Sequence, residues 1–168
     1  NALLQKKLNV LEIGCYEGRS SYFLLSNLKK MNLICVDTFK PFRELQKNNK
    51  KEFNEIYKNC RRNISKYSNR CKIIKSSSKK FFSKNKKTFD LIYVDGSHKF
   101  KDVVYDSKKA LKFLRKNGII IFDDFMWENE DEILKTTTYA LLNFIQDNRK
   151  KIKIIYVNYQ LSIKKIEY

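Results

Sequence analysis

Strand-sized apolar runs alternate with amphipathic, helix-like stretches along most of the chain. Five such runs cover Leu8–Ile13, Leu33–Val36, Cys71–Ile74, Phe89–Val94 and Gly118–Phe122. Each is rich in Ile, Leu and Val and is bounded by polar residues or glycine, as strands buried on both faces are. Alternating strands and helices are typical of βαβ units, in which successive strands are parallel. We therefore predict an α/β fold with a parallel sheet.

The stretches between these runs have helical periodicity. The predicted helices are Ser20–Lys29, Glu44–Lys66, Lys79–Ser83, Lys101–Arg115 and Asp131–Asn148. Asn117 and Gly118 favour the left-handed conformation that ends many helices, so we expect them to terminate the fourth helix.

Two further strand-like runs follow the last helix. Ile152–Val157 and Gln160–Ile166 are separated only by Asn158 and Tyr159, and a parallel crossover needs about a dozen residues. These runs must therefore form an antiparallel hairpin. The complete prediction is a doubly wound, mostly parallel, seven-stranded Rossmann-like sheet that ends in this hairpin. In such folds ligands bind outside the carboxyl ends of the strands.

Length and composition favour one globular domain over residues 1–168. The chain has 168 residues, of which 42% are hydrophobic, enough for one core. No apolar run approaches the roughly 20 residues that span a bilayer, so we expect no membrane span. Because the chain starts at Asn1, we expect it to lack N-terminal residues of a longer protein. Homo-oligomer formation stays open.

The net charge leaves two interpretations of possible partners. Lys and Arg exceed Asp and Glu by 36 to 18, a formal charge of +18, which attracts nucleic acid and other anions. Solvated lysines of a compositionally biased chain explain the same number, and we favour that explanation. The four cysteines, Cys15, Cys35, Cys60 and Cys71, form no C-x-x-C pair. They are therefore expected to be free thiols in a reducing cytoplasm.

A glycine-rich turn follows the first predicted strand. The segment from Glu12 to Ser20 contains Gly14 and Gly18 and leads directly into a helix. Glycines allow a sharp turn and close approach of a ligand, and the helix start offers free N–H groups. Asp37 ends the second strand, where a carboxylate can accept both ribose hydroxyls. Turn and carboxylate together indicate an adenosine-bearing cofactor.

Carboxylates also follow the fourth and fifth predicted strands. Asp95 follows the fourth strand, and Asp123 and Asp124 follow the fifth. Crowded carboxylates raise one another's pKa, and a hard divalent cation, above all Mg²⁺, would remove the conflict. We predict a metal site, with helix capping by Asp95 or Asp124 as the alternative. His98, the single histidine, lies three residues after Asp95 and is a candidate general base.

These motifs resemble those of class I S-adenosylmethionine-dependent methyltransferases, and among them the metal-dependent O-methyltransferases similar to catechol O-methyltransferase. The resemblance covers nearly the whole chain. It implies cofactor contacts for Glu12, Gly14, Tyr16, Gly18, Ser20, Asp37, Ser77, Ser78 and Asp95. The family often has glycine where this chain has Ser76, and an amide residue where it has Lys79.

The resemblance also implies the chemistry of the second half of the site. Asp95, Asp123 and Asp124 match the family's metal positions, and Asp95 and His98 match its catalytic positions. A lysine stands at the His98 position in the catechol enzymes. The segments Phe89–His98 and Asp123–Trp127 also look like bacterial methyltransferases related to those that modify sugar hydroxyls.

The resulting hypothesis is metal-assisted methyl transfer from S-adenosylmethionine to a hydroxyl of a small molecule, such as a sugar or a catechol-like compound. The first rival is an RNA or protein methyltransferase, motivated by the charge of +18. Two further rivals are a non-catalytic cofactor-binding domain and an oxidative or hydroxylating enzyme on the same scaffold. The crowded carboxylates argue against the non-catalytic domain, which has no physical need for them.

Overall fold

The computed structural model describes residues 7–40, 50–126, 134 and 136–167. Seven strands lie in these ranges: β1 (Leu8–Ile13), β2 (Met31–Asp37), β3 (Cys71–Lys75), β4 (Phe89–Val94), β5 (Leu114–Phe122), β6 (Ile152–Val157) and β7 (Leu161–Lys165). The helices are α1 (Arg19–Asn27), α2 (Lys50–Asn63), α3 (Ser78–Lys84), α4 (Phe100–Phe113) and α5 (Thr137–Asn148), with a 3₁₀ turn at Ser65–Tyr67.

The strands form one mixed sheet in the order β3-β2-β1-β4-β5-β7-β6. The first five are parallel to their neighbours, while β7 pairs antiparallel with both β5 and β6. This confirms the predicted doubly wound sheet and its terminal hairpin. The strand order reverses at β1, so β1, β2 and β4 converge where such folds bind ligands.

Helices cover the sheet on both faces and create two apolar layers. One layer joins α3, α4 and α5 to strand residues such as Leu11, Ile92 and Ile120. The other joins α1 and α2 to strand residues such as Val10 and Leu33. Burial of β1 on both faces explains its nearly continuous apolar sequence. None of the described helices combines the length and apolarity that crossing a bilayer requires.

The prediction that Asn117 and Gly118 end a helix is wrong. Helix α4 ends at Phe113, and both residues lie inside β5. Asn117 has a φ of 63°, and the register between β4 and β5 shifts nearby, between Phe89 and Leu91. A Cβ at Gly118 would lie 2.9 Å from the backbone oxygen of Asp90. The pair therefore forms an irregularity that brings the two strands together.

The other predicted boundaries are close to the observed ones. Most differ by one or two residues, the usual scatter at helix and strand ends. Two predicted helices, Glu44–Lys66 and Asp131–Asn148, extend outside the described residues; in the described part, α2 ends at Asn63 and α5 begins at Thr137. Capping by Asp95 or Asp124 is not observed, because Lys99 is the N-cap of α4 and Thr136 that of α5.

Candidate active site

An open cavity of about 1550 Å³ lies at the carboxyl edge of the sheet, where the fold predicts a ligand. Residues that follow β1, β2, β3, β4 and β5 line its wall. Of the residues with a predicted role, the wall contains Gly14, Tyr16, Ser20, Asp37, Ser77, Ser78, Asp95, His98 and Asp123. Asp124 lies in a small adjoining recess that shares Asp95 and His98 with the cavity. The fold therefore gathers nearly all predicted site residues around one space.

The two glycines of the turn after β1 have left-handed backbone conformations, and Gly14 also has no room for a side chain. Gly14 has a φ of 84°, and a Cβ there would lie 1.7 Å from the backbone oxygen of Asp95. Gly18, with a φ of 83°, is the N-cap of α1, and its Cβ would lie 3.2 Å from Cys60 Sγ. Gly14 thus lets the first turn pass against the Asp95 loop, and Gly18 directs the chain into α1.

Glu12 stabilises this turn through hydrogen bonds of its side chain. Its side chain is fully buried, and its carboxylate accepts hydrogen bonds from the hydroxyls of Ser20 and Ser21. Burial raises the pKa of Glu12, although the two serine hydroxyls oppose that shift. Glu12 and Gly18 do not line the cavity. Their observed contacts hold the start of α1 in place.

Asp37 is the last residue of β2, as predicted, and its side chain hydrogen-bonds the backbone of the same turn. Its Oδ2 accepts the backbone N–H groups of Cys15 at 2.9 Å and Tyr16 at 2.8 Å. Its Oδ1 accepts the N–H of Phe39 at 2.6 Å. An ionised carboxylate has about four acceptor positions, so one remains for a ligand. Asp37 both fixes the glycine turn and faces the cavity.

The serines after β3 are partly committed to the fold. Ser77 is the N-cap of α3, and its Oγ accepts the N–H of Lys80 at 3.2 Å. Ser78 hydrogen-bonds Asp106, a buried residue of α4 whose pKa is raised to about 6, mainly by burial. The Oδ1 atom of Asp106 has no hydrogen-bond partner. The predicted cofactor contacts Ser77 and Ser78 thus border the cavity through side chains that already have structural roles.

The second half of the site contains the carboxylates after β4 and β5. Burial raises the pKa of Asp95 to about 8, and the nearby charges of Asp123 and Asp124 add to this effect. His98 Nδ1 lies 3.4 Å from Asp124 Oδ2. Ligand atoms of Asp95, His98 and Asp124 lie within 4.8 Å of one another, and all three residues are partly buried. This donor set suits a divalent cation.

Asp123 is held by two residues that the sequence analysis missed. Gln160 Nε2 donates to Asp123 Oδ1 and also lies 3.3 Å from the Tyr93 hydroxyl. Tyr93 is half-buried, and burial together with its contact to Asp123 raises its pKa. The pairing of β7 with β5 indicates the contact between Gln160 and Asp123, because Leu161 pairs with Phe122. The residue before Leu161 must then lie beside the residue after Phe122.

All four cysteines converge behind the glycine turn. The Sγ atoms of Cys15 and Cys60 lie 3.9 Å apart, and those of Cys35 and Cys71 lie 3.6 Å apart. The thiols are free, as predicted, and three of them are buried. Their pKa values are raised at Cys15, Cys35 and Cys71. Such thiols are poor nucleophiles, and here they pack as small apolar side chains.

The comparison with protein families agrees with this geometry. Residues 11–125 match a family model described as a methyltransferase domain, which covers more than half of the chain. The chain therefore belongs to the methyltransferase-domain family. Its fold is that of class I S-adenosylmethionine-dependent methyltransferases, which confirms the resemblance seen in the sequence.

Solved structures with this fold include cofactor complexes. Rv0187 from MTB, solved with its cofactor bound, has a TM-score of 0.70 and 14% identity, over 96% of this chain and 75% of that one. The O-methyltransferase TomG from Streptomyces achromogenes, in complex with SAM, has a TM-score of 0.68 and 12% identity over 99% and 77%. An O-methyltransferase from Bacillus cereus, in complex with SAH, has a TM-score of 0.67 and 16% identity over 98% and 77%.

A curated relative is longer than this chain. It is the uncharacterized protein R132 of Acanthamoeba polyphaga mimivirus, which is 29% identical over 127 residues. That alignment covers 74% of this chain and 55% of the relative. The chain thus spans about half the length of the curated relative that it matches.

Proposed function

We propose that this domain transfers the methyl group of S-adenosylmethionine to a hydroxyl oxygen of a small molecule, assisted by a divalent cation. The observation that carries the proposal is a crowded group of residues beside the glycine turn and Asp37: Asp95, Asp123 and His98 lie on the wall of the same cavity, and Asp124 lies in the adjoining recess. One space can therefore hold a methyl donor and an acceptor together.

The first half of the cavity supports binding of the methyl donor. Its backbone at Gly14 passes too close to Asp95 for any side chain, and Gly14 lines the cavity. The remaining acceptor position of Asp37 suits a ribose hydroxyl. The sulfonium of S-adenosylmethionine supplies an electrophilic methyl group, and the carboxylates across the cavity favour its positive charge. The contribution of these residues is binding and orientation.

The second half supports activation of the acceptor. Asp95, Asp123 and Asp124 provide the oxygen ligands that Mg²⁺ prefers. Burial, and after it the charges of Asp123 and Asp124, raise the pKa of Asp95, and a cation would offset both effects. A bound cation would orient the acceptor hydroxyl and lower its pKa. His98 takes the hydroxyl proton, and Asp124 orients His98 through Nδ1. A proton held on Nδ1 by this contact would make Nε2 of His98 the atom that accepts the hydroxyl proton.

His98 also belongs to the group of three residues whose ligand atoms lie within 4.8 Å. As a fourth ligand, its nitrogen would favour a transition metal such as Mn²⁺ over Mg²⁺. Calorimetric titration with Mn²⁺ and Mg²⁺ separates the roles. If His98 acts as a base, His98→Gln keeps the metal affinity and loses turnover. If it is a ligand, the same variant loses affinity for Mn²⁺. Asp147→Asn, an exposed change on α5, is the control.

The function is tested with S-adenosylmethionine that carries a labelled methyl group. The wild-type domain is incubated with a panel of catechols and sugars, with Mg²⁺ or with chelator, and labelled products are identified by mass spectrometry. We expect a methyl ether with Mg²⁺ only, and none from Asp95→Asn. Equal turnover with chelator would remove the metal from the mechanism. Labelling of RNA in place of every small molecule would favour the rival acceptor class.

A further inference from the structure

The positive charge of the chain is concentrated in one segment. Residues 56–89 contain twelve Lys and Arg residues and no Asp or Glu. This fifth of the chain therefore carries two-thirds of the formal charge of +18. A compositional bias toward lysine would spread the excess over the whole chain, and it would not remove the acidic residues from one segment. The distribution calls for an explanation beyond composition.

This segment forms one edge of the molecule. It runs through the second half of α2, the 3₁₀ turn, β3 and α3, and β3 is an edge strand of the sheet. Two of its lysines pair with carboxylates, Lys58 with Glu55 and Lys79 with Asp102. Four exposed cations on the α2 side, which we call the basic edge, form no ion pair with the described residues: Arg61, Arg62, Lys66 and Lys75.

Cation–π contacts show that the basic edge is a continuous surface. Arg61 of α2 and Lys75 of β3 lie over the same ring, that of Tyr57, at 5.9 Å and 5.6 Å from its centre. The ring therefore holds two like charges near each other, and like charges repel. Since no described carboxylate pairs with either cation, an anion bound from outside would relieve this repulsion.

Exposed aromatic rings adjoin these cations on α1. Lys66 Nζ lies 4.6 Å from the ring centre of Tyr22 and donates to the Tyr22 hydroxyl at 2.8 Å. Tyr22 is 40% exposed, and the next residue, Phe23, is 65% exposed and lines the cavity. Exposed rings therefore lie between the basic edge and the cavity.

Cations next to exposed rings suit a single strand of nucleic acid, whose phosphates bind the cations and whose bases stack on the rings. An anionic membrane would also need exposed apolar side chains to bury, and residues 56–89 contribute none of the large exposed ones. We propose that the basic edge, together with Tyr22, binds single-stranded RNA. The inference goes beyond the proposed function, because it concerns a docking surface and not the methyl acceptor.

Binding is measured by fluorescence anisotropy with a labelled oligouridylate of about 20 nucleotides, without S-adenosylmethionine, over a series of salt concentrations. The triple variant Arg61→Gln, Lys66→Gln, Lys75→Gln should weaken binding at least about tenfold. It should also lower the slope of log affinity against log salt by about 2, because each lost phosphate contact removes about 0.7.

The matched control is the triple variant Lys150→Gln, Lys151→Gln, Lys153→Gln. It removes the same charge from exposed side chains beside β6, at the opposite edge of the sheet, and should bind within about twofold of the wild type. Tyr22→Ala tests the rings and should weaken oligouridylate binding about fivefold. Its control is Tyr156→Ala, which removes another exposed ring, on β6.

Equal weakening by the two triple variants overturns the proposal, because net charge alone would then cause the binding. So does wild-type binding that is absent, or that is tighter to an RNA duplex or to phosphatidylserine vesicles than to oligouridylate. All substituted side chains are exposed, so denaturation midpoints should stay at the wild-type value. If a triple variant lowers its midpoint, the salt slope of Arg62→Gln alone decides, with an expected decrease of about 0.7. Because the assay contains no methyl donor, this inference can fail while the proposed function stands.

Discussion

The carboxylates beside β1 and β2 have different surroundings from those beside β4 and β5, which form the second half of the carboxyl edge. Beside β1 and β2, the chain itself supplies the donors: Ser20 and Ser21 for Glu12, and backbone N–H groups for Asp37. Beside β4 and β5, the charges of neighbouring aspartates help to raise the pKa of Asp95 to about 8. The first half supplies hydrogen-bond donors to its carboxylates, although burial still raises the pKa of Glu12. In the second half, neighbouring negative charges add to the effect of burial on Asp95, and a proton or a cation would relieve both. All of these carboxylates lie at the same edge of the sheet, so the supply of hydrogen-bond donors distinguishes the two groups.

The strongest way to break the first half is Gly14→Ala. The new Cβ would lie 1.7 Å from the Asp95 backbone oxygen, at a φ of 84° that alanine disfavours. We expect a loss of about 3 kcal/mol or more in the free energy of unfolding, measured by chemical denaturation, because backbone must move. Gly96→Ala is the control: its Cβ would meet only the Ile13 side chain, at 3.3 Å. Equal effects of the two changes would contradict the tight approach of the two loops.

Asp37→Ala probes ligand binding in the same half. It removes the carboxylate that holds the glycine turn and faces the cavity. We expect the affinity for S-adenosyl-L-homocysteine to fall by roughly 1.5 to 3 kcal/mol, the range for a hydrogen bond to a charged group. Calorimetry measures this change, with Thr38→Ala, the next residue in the cavity wall, as the control. Unchanged affinity in Asp37→Ala would show that the ribose assignment is wrong.

The pH dependence of stability tests the raised pKa of Asp95 in the second half. The pKa of Asp95 is about 8 in the folded protein, against 3.8 for an ordinary aspartate. Between these values the folded state holds a proton that the unfolded chain has released. Stability in chelator should therefore fall as pH rises from about 4 to about 8, by on the order of 2 kcal/mol.

Denaturation series in chelator check this slope. Asp95→Asn should reduce it, because asparagine does not titrate, while Glu12 and Asp106, whose pKa values burial also raises, keep part of it. Asp147→Asn should leave it unchanged. Excess Mg²⁺ should also reduce it for the wild-type domain, since the cation stabilises the ionised carboxylate. Equal slopes in the wild type and in Asp95→Asn would show that a group other than Asp95 causes the pH dependence of stability.

The difference between the halves also explains what the sequence could predict. Local patterns suffice for the strands, the glycine turn and Asp37, because these depend on nearby residues and on strand order. The contacts of Gln160 with Asp123 and of Lys79 with Asp102 join distant segments, and residue type does not specify such partners. Asn117 and Gly118 show the opposite error: a good local signal for a helix end is overridden by the pairing of β4 with β5.

Gln160→Leu tests the smallest difference, because the neutral amide of Gln160 donates a hydrogen bond to Asp123. Without the Gln160 donor, Asp123 should resemble its neighbours. We expect a loss of about 1 kcal/mol in chelator, the usual value of one hydrogen bond. Saturating Mg²⁺ should reduce this loss, since the cation would stabilise the same carboxylate. Tyr93→Phe, which removes the other partner of Gln160, should behave alike but more weakly. If Gln160→Leu lowers the free energy of unfolding equally with and without Mg²⁺, Asp123 does not belong to the cation site.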